Sequence, residues 1–420
     1  MTARPPVAEF RDLLARELPP AWAAAAAAGD ADRLAAFAAS PDGARAVRAV
    51  AGDGWLTPEW PVEYGGRGLR PDEALEIRRE LRRWHIGDVS SAIGTAWVGP
   101  TILRYGSAEA RGQLLLPIAR NEALWCQLFS EPEAGSDLAA VRTRAVRRFG
   151  EHADDWVLDG AKIWTSRADI ASWGLALART DPAVPKHAGL TCFCVKMDAP
   201  GVTIRPIRQL TGDSEFFEVL LDGCAVPDRF RVGEPGQGWE IVRAVLSFER
   251  GAGSGVGAAP PGSVVGRGIE ELIARQAGRL DPVQADAVAR VYIESQLIEF
   301  NNRRSAVERA SGTRSAAASA PFNKILQAEH TKKLQQLFLD LDGLAAIAHE
   351  PGDGWSAGNV WSFLRVQAKT IAGGTSQVLR NQVAERALGL PRETDPARSV
   401  PWQDFLAITK PPANGGAERR

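Results

Sequence analysis

The hydrophobic period of this chain changes twice, and these changes constrain its fold more than any other feature. Up to about residue 122, Ala-rich amphipathic stretches predict helices around 6–18, 31–38 and 72–84. From about 123 to 231 the period falls to two, and short β-rich segments alternate with Gly, Pro and Asp. These segments are 156–158, 174–178, 190–195, 201–207 and 216–221. Helical periodicity then returns over 237–249, 264–277, 283–310, 322–349 and 376–388.

The length of 420 residues also exceeds what one ordinary hydrophobic core can serve, so several domains are expected. We predict an α+β multidomain fold, because helical patterns flank the strand pattern on both sides. Its parts are an N-terminal helical domain (1–122), a small central β-domain (123–231), a C-terminal helical bundle (232–395) and a partly disordered tail (396–420).

The composition argues against several functional classes. A hydrophobic content of 45% is that of a soluble globular protein, and a net charge of -1 offers nucleic acid no positive field. The apolar run at 21–28 is too short to cross a bilayer, and early charged residues argue against a signal peptide. The 4 cysteines and 5 histidines lack metal-ligand spacing. We therefore predict a cytoplasmic protein with reduced thiols and no metal site, membrane span or nucleic-acid partner.

The most informative motif opens the predicted β-domain at residues 125–137. It reads Trp-Cys-Gln-Leu-Phe-Ser-Glu-Pro-Glu-Ala-Gly-Ser-Asp. Its apolar beginning is typical of a strand that leaves a core, and Gly135 and Ser136 then expose backbone N–H groups beside hydroxyl groups. Such a loop suits a ligand that carries phosphate or carbonyl oxygens.

A second motif, at residues 159–166, reads Asp-Gly-Ala-Lys-Ile-Trp-Thr-Ser. It is a turn signal followed by a strand that ends in an aromatic residue and two hydroxyl groups. The indole of Trp164 offers a flat apolar face to a planar ring system, and Thr165 or Ser166 can hydrogen-bond a ring nitrogen. The two linked motifs favour a functional site over an ordinary strand-and-turn domain.

Together the two motifs resemble the flavin-binding core of the acyl-CoA dehydrogenase family. The Trp-Pro and Tyr-Gly-Gly sequences at 54–68 and the helical–β–helical order resemble the same family. The resemblance implies FAD as cofactor and an acyl-CoA thioester as substrate, with Ser136 placed where the two meet. The residues that it places along the cofactor are Gln127, Leu128, Phe129, Ser130, Gly135, Ser136, Trp164 and Ser166.

The catalytic base needs a separate argument. Many family members carry it as a glutamate before the last helix, but this chain has Gly373 there. Another branch keeps its base on the first helix of the C-terminal domain, where this chain has Glu249. Helical spacing independently places Glu249 on one face with Trp239, Val242 and Leu246. An acid on an apolar face is costly unless paired or used, so we predict Glu249 as the base; a structural ion pair is the alternative.

Four further candidate positions lie in the C-terminal region. Gly373 and Arg250 are expected to border the substrate. A hydroxyl side chain at position 375 or 376 is expected to cap the last helix, whose N–H groups would face the flavin or its pyrophosphate. Thr375 and Gln377 are therefore candidate cofactor residues.

Arg275 is the candidate contact for the outer half of FAD. Many relatives hold that half with Arg-x-x-Phe-Gly and Gln…Gly-Gly segments of a neighbouring subunit, and this chain lacks the Phe-Gly and Gly-Gly features. The resemblance still implies an oligomer, either a homodimer or tetramer or a heterotetramer of unlike chains.

The resulting hypothesis is FAD-dependent α,β-dehydrogenation of an acyl-CoA, with an electron-transfer flavoprotein or similar acceptor as partner. A base on the first C-terminal helix leaves the opposite wall free, which favours a bulky, branched or polycyclic acyl group. Three alternatives stay open. They are a non-catalytic or half-site subunit of a heteromeric dehydrogenase, an enzyme acting on acyl carrier protein thioesters, and a flavin oxidase or monooxygenase on the same fold.

Overall fold

The computed structural model describes residues 4–28, 30–87, 89–148, 155–253, 266–310, 316–348, 354–394 and 396–409. A helical region, a sheet and a second helical region follow one another in this part of the chain, so the α+β prediction is confirmed. Within these ranges, every helix is either too short or too polar to cross a bilayer.

Short helices build the N-terminal region, and two of them show clear capping chemistry. The hydroxyls of Ser40 and Ser107 accept hydrogen bonds from the backbone N–H groups of Gly43 and Ala110, which satisfies the first turns of α4 and α8. The helices are α1 (Pro6–Glu17), α2 (Pro20–Ala28), α3 (Ala31–Ala38), α4 (Pro41–Gly52), α5 (Pro71–Arg83), α6 (Val89–Ala92), α7 (Gly99–Tyr105) and α8 (Ala108–Ala119), with a π-helix (Ile93–Val98) between α6 and α7.

One mixed sheet follows. Its order is β6-β7-β3-β2-β4-β5-β8, and β1 pairs with β4 in parallel. The strands are β1 (Trp125–Leu128), β2 (Arg144–Arg147), β3 (Asp155–Ser166), β4 (Trp173–Arg179), β5 (Leu190–Lys196), β6 (Val202–Ile207), β7 (Phe216–Pro227) and β8 (Arg231–Val232). Four of the five β-rich segments of the sequence fall within these strands and the fifth, 201–207, begins one residue before β6, whereas the short strands β2 and β8 were not predicted.

Longer helices form the C-terminal region. They are α9 (Gly238–Gly253), α10 (Ile269–Gln276), α11 (Pro282–Ala310), α12 (Ala316–Asp342), α13 (Gly354–Val366), α14 (Ser376–Arg386) and α15 (Trp402–Thr409). Gly389 follows α14 with φ of 67°, in line with the predicted end of that helix. Helices α13 and α15 were not predicted.

The sheet and the helices that flank it share one hydrophobic core. Ile102 of α7, Leu115 of α8 and Val242 of α9 are fully buried in the same cluster as Leu177 and Phe193 of the sheet. Helix α9 therefore rests its apolar face on the β-region, and its later turns extend away from this anchor.

The segment after residue 395 packs on the β4–β5 loop. The backbone N–H of Trp402 donates to the carbonyl of Val184 at 2.9 Å, and the indole is 4% exposed. The guanidinium of Arg179 lies 4.1 Å from the Trp402 ring centroid. The tip of the predicted disordered tail, residues 410–420, lies outside the described residues.

Candidate active site

The structure brings the two sequence motifs side by side. The backbone N–H of Ile163 donates to the carbonyl of Ser130 at 2.9 Å, which ties the end of β3 to the loop after β1. Next to this contact, the ammonium of Lys162 lies 2.7 Å from a carboxylate oxygen of Glu131. The two motifs are therefore separate in sequence but adjacent in the folded chain.

The Lys162–Glu131 ion pair is buried and fully hydrogen-bonded. Lys162 also donates to the carbonyls of Phe129 and Leu177, and Glu131 accepts from the backbone N–H groups of Arg142 and Thr143. Burial would raise the pKa of Glu131, but Lys162 and the N–H donors together lower it, so the carboxylate is charged. The pair fixes the loop that carries Ser130. Sequence reasoning missed it, although both residues stand inside the two motifs.

Trp164 is held in an unusual conformation on this edge of the sheet. A β-bulge interrupts the β3–β7 register between Lys162 and Thr165, and Trp164 has φ of 61°. Its indole is 57% exposed and meets the ring of Phe216 edge-on, 6.3 Å between centroids. A large aromatic residue with positive φ is rare and clusters at functional sites.

The neighbouring hydroxyl groups differ in environment. Thr165 is 1% exposed, and no hydrogen-bond partner of its hydroxyl is present in the described part of the chain. A buried hydroxyl without a partner is costly, which points to a ligand that completes it. Ser166, the residue carried over from the family motif, is half-buried at the end of β3.

The first motif contains a buried part, residues 128–129, and an exposed part, residues 135–136, which we call the rim of the site. Leu128 and Phe129 are buried, and Gln127 and Ser130 are half-buried. Gly135 and Ser136 are exposed, and apart from its chain neighbours no atom of the described residues lies within 4 Å of the position that a Cβ on Gly135 would take. Glu133 points to solvent, where it pairs with Arg142 at 2.6 Å.

Glu249 lies where α9 meets the turn before α14. It is half-buried, and a Cβ built on Gly373 would stand 3.2 Å from its Oε1 atom. Val242 is fully buried, and Trp239 and Leu246 pack against the same core, so the predicted face of α9 exists. The structure thus places the two alternative base positions of the family, 249 and 373, against each other. The side chain of Arg250 lies outside the described residues.

The turn at residues 373–375 is shaped by glycine and by capping. Gly373 and Gly374 have φ of 66° and 93°, in the left-handed region. Thr375 is the N-cap of α14, and its hydroxyl accepts from the N–H of Val378 at 3.2 Å. Gln377 is exposed. The cap prediction is confirmed, and the first turn of α14 therefore begins beside Glu249.

A second contact joins the C-terminal region to the β-motif. Arg365 of α13 forms an ion pair with Glu215, and its guanidinium lies 5.1 Å from the centroid of the Phe216 ring. Phe216 in turn meets Trp164. The segment that leads to Gly373 is therefore anchored on the aromatic edge of the sheet. The sequence alone gave no signal for this contact.

Arg275 lies in a different part of the C-terminal region. It is exposed, and its guanidinium stacks 3.9 Å from the centroid of the Trp355 ring. The indole N–H of Trp355 donates to Asp342 at 3.0 Å, and the side-chain amide of Asn359 donates to the same carboxylate at 2.7 Å. Arg275 therefore stacks on a ring that an acidic group holds in place, and Asp342 lies in the segment 338–343, which the resemblance aligns with the Gly-Gly segment of many relatives.

Comparisons with known proteins agree with this architecture. Sequence models of the family match residues 6–122 (acyl-CoA dehydrogenase, N-terminal domain), 126–223 (middle domain) and 236–388 (C-terminal domain). The acyl-CoA dehydrogenase FadE34 of Mycobacterium tuberculosis is 41% identical over 86% of this chain, which spans only 48% of that relative. The acyl-CoA dehydrogenase IpdE1 of Mycolicibacterium smegmatis is 36% identical over 80% of this chain and 84% of its own length.

Solved structures show the same likeness. The Tcur3481-Tcur3483 steroid ACAD superposes with a TM-score of 0.74 at 28% identity, covering 94% of this chain and 100% of that chain. A chain of the ChsE4-ChsE5 complex from Mycobacterium tuberculosis gives a TM-score of 0.69 at 26% identity, covering 94% and 100%. The chain therefore belongs to the acyl-CoA dehydrogenase family of flavoprotein oxidoreductases.

Family membership implies FAD, and the residues present fit a flavin. Trp164 presents an open aromatic face, Thr165 keeps a buried hydroxyl with no partner among the described residues, and Gly135 leaves open space on the rim. A flat ring with polar edges has the shape and hydrogen-bonding groups that such a set can hold.

Proposed function

We propose that this chain catalyses FAD-dependent α,β-dehydrogenation of an acyl-CoA thioester, with Glu249 as the base. The observation that carries the proposal is the Oε1 atom of Glu249 against Gly373, at the turn where many relatives have their glutamate. A carboxylate at this turn serves the same role from a different helix.

Each group has a defined part in the reaction. Glu249 takes the α-hydrogen as a proton, while Trp164 and Ser166 orient the ring system and Ser136 borders the thioester. FAD, held by these residues, would supply the two-electron oxidant that takes the β-hydrogen as hydride, so that an α,β double bond results. An electron-transfer flavoprotein or a similar acceptor would reoxidise the cofactor.

We further propose a bulky, polycyclic acyl group as substrate. Gly373 has no side chain where many relatives have a glutamate, which supports a larger acyl group at this turn, and a structural neighbour of this chain is described as a steroid ACAD. Rates of flavin bleaching by ring-bearing and by short linear acyl-CoA thioesters test this part. A rate that falls steadily from butyryl-CoA to the ring-bearing thioesters would refute it. Competition by free CoA separates CoA thioesters from acyl carrier protein thioesters.

Replacement of Glu249 by glutamine tests the base assignment. The amide keeps the shape of the side chain but cannot take a proton, so E249Q should retain FAD and bind thioester while bleaching at least about 100-fold more slowly. Glu240→Gln is the matched control, since Glu240 is an exposed acid on the same helix. Normal bleaching in E249Q would remove Glu249 from the mechanism.

A second candidate function is that of one subunit in a heteromeric dehydrogenase. Two observations favour it. Asp342 lies in the segment 338–343, where the family resemblance implies glycines toward a partner's FAD, and the structural neighbours include the ChsE4-ChsE5 complex and the Tcur3481-Tcur3483 steroid ACAD. This candidate differs from the first in assembly, because the chain would need a partner to hold the outer half of FAD.

A further inference from the structure

A lysine outside every motif lies directly behind the turn that borders Glu249. Lys324, on α12, donates from Nζ to the carbonyl oxygen of Gly374 at 2.7 Å, and its side chain is half-buried. A charged donor gives a stronger hydrogen bond than a neutral one. The contact therefore restrains the peptide between Gly374 and Thr375, one residue beyond Gly373.

A second contact from the same helix restrains the other end of the turn. The hydroxyl of Ser376, which is 3% exposed, donates to Glu329 of α12 at 2.9 Å. Between these two contacts lies the N-cap Thr375. Helix α12 thus fixes residues 374–376, directly after Gly373, whose Cβ position lies 3.2 Å from Oε1 of Glu249.

Lys324 also contributes charge. It interacts electrostatically with Glu249 of α9, with Glu329 of its own helix and with Lys369 of the 3-10 helix Gln367–Thr370. Burial lowers the pKa of Lys324 to about 8; the two carboxylates oppose this effect and Lys369 adds to it. Below that pH the side chain is an ammonium ion near Glu249, and above it the charge is lost.

We propose that Lys324 is a positioning residue for Glu249, which holds the 373–375 turn through its hydrogen bond and favours the charged carboxylate through its ammonium. The inference rests on the proposed function, because it assigns Lys324 to the environment of the proposed base.

Lysine titration by NMR tests the contact without turnover. With 13C-labelled lysine side chains, the Cε signal of Lys324 is assigned by its loss in K324R and followed against pH. Because Glu249 favours the charged lysine, E249Q should move this titration to lower pH by at least about half a unit. An unchanged midpoint in E249Q would overturn the proposed coupling, whether or not the protein proves to be a dehydrogenase.

Substrate-dependent flavin bleaching tests the consequence for catalysis. K324M should bleach roughly 10- to 100-fold more slowly at saturating substrate, with little change in KM, because the base is misplaced. K324M has no lysine to titrate, so the basic limb of its rate profile near pH 8 should also be absent. K324R keeps a positive charge at all relevant pH values, so it should restore most of the rate and lose the basic limb near pH 8.

Lys332→Met, on the same helix, is the control for loss of a lysine from α12. The proposal would be overturned if K324M had the rate and the pH–rate profile of the wild type. It would also be overturned if the basic limb of the K324R profile were identical to that of the wild type. If K324M does not fold, K324R and the NMR titration still decide. Absence of bleaching in the wild type with every thioester would instead refute the proposed function.

Discussion

Gly373 combines a backbone requirement with a steric one. Its φ of 66° lies in the left-handed region, where a residue with a Cβ lowers the stability of the folded state by roughly 1 kcal/mol. Its Cβ position is also only 3.2 Å from Oε1 of Glu249, closer than ordinary contact. The first effect acts on stability alone, whereas the second acts on the base.

Replacement of Gly373 by alanine should therefore lower activity more than stability. We expect G373A to retain FAD and to bleach with substrate at least about 10-fold more slowly, because the methyl group displaces the carboxylate. Gly389→Ala is a close control: Gly389 has φ of 67°, but nothing lies within 4 Å of its Cβ position. Equal bleaching rates in the two variants would show that the carboxylate does not depend on this contact.

At the level of elements, regular amphipathic patterns were predictable and buried polar ones were not. Helix α13 was missed because its buried residues are Ser356, Asn359, Ser362 and Val366, which leave almost no apolar period. These polar groups are satisfied by tertiary contacts such as the Asn359–Asp342 hydrogen bond. Strand β2 was missed because only one of its four residues is buried. Neither feature is visible before the partners are known.

The same reasoning applies to the site. Motif spacing predicted that the segments around Ser130 and Trp164 belong together, and they share a hydrogen bond between Ile163 and Ser130. Periodicity placed Glu249 on the apolar face of α9. Lys324 could not be predicted, since its contact with Gly374 joins residues 50 positions apart in the chain. Its role depends on packing between helices rather than on local sequence.

Helix α15 gives a prediction at the scale of one element. Its Trp402 is enclosed by the β4–β5 loop and the Arg179 guanidinium, and Lys186 of that loop donates to Asp137, next to Ser136. Burial lowers the pKa of Arg179 to about 10, which still leaves a full positive charge over the ring at neutral pH. The helix therefore stabilises the loop that borders the rim of the site.

Trp402→Ala should release this element locally. We expect a loss of about 2 kcal/mol in unfolding free energy, below that of a central core tryptophan, because α15 can detach by itself. Hydrogen exchange should accelerate in residues 180–189 and stay unchanged in β3. Gln403→Ala, an exposed position on the same helix, is the control. Unaltered exchange in the loop would mean that α15 contributes nothing to its order.

At the scale of the whole molecule, Asp342 bears on how the outer half of FAD would be bound. Asp342 places a negative charge in the segment where the resemblance implies glycines. Trp355 and Asn359 donate hydrogen bonds to its carboxylate and hold that side chain in place. A carboxylate near a pyrophosphate repels it. The heteromeric proposal therefore expects an unlike family member that carries the glycines to hold FAD better than a second copy of this chain does.

Purification with and without such a partner tests this expectation. The chain alone should bind FAD more weakly, with a higher dissociation constant, than a complex formed by co-expression with an unlike family member, which should stay yellow on gel filtration. In the chain alone, Asp342→Asn should raise FAD affinity severalfold, because it removes the charge and keeps an acceptor for Trp355. Asp286→Asn, an exposed acid paired with Arg290 on α11, is the control. A yellow, active oligomer of this chain alone with one FAD per subunit would exclude the heteromeric assignment and leave the Glu249 mechanism intact.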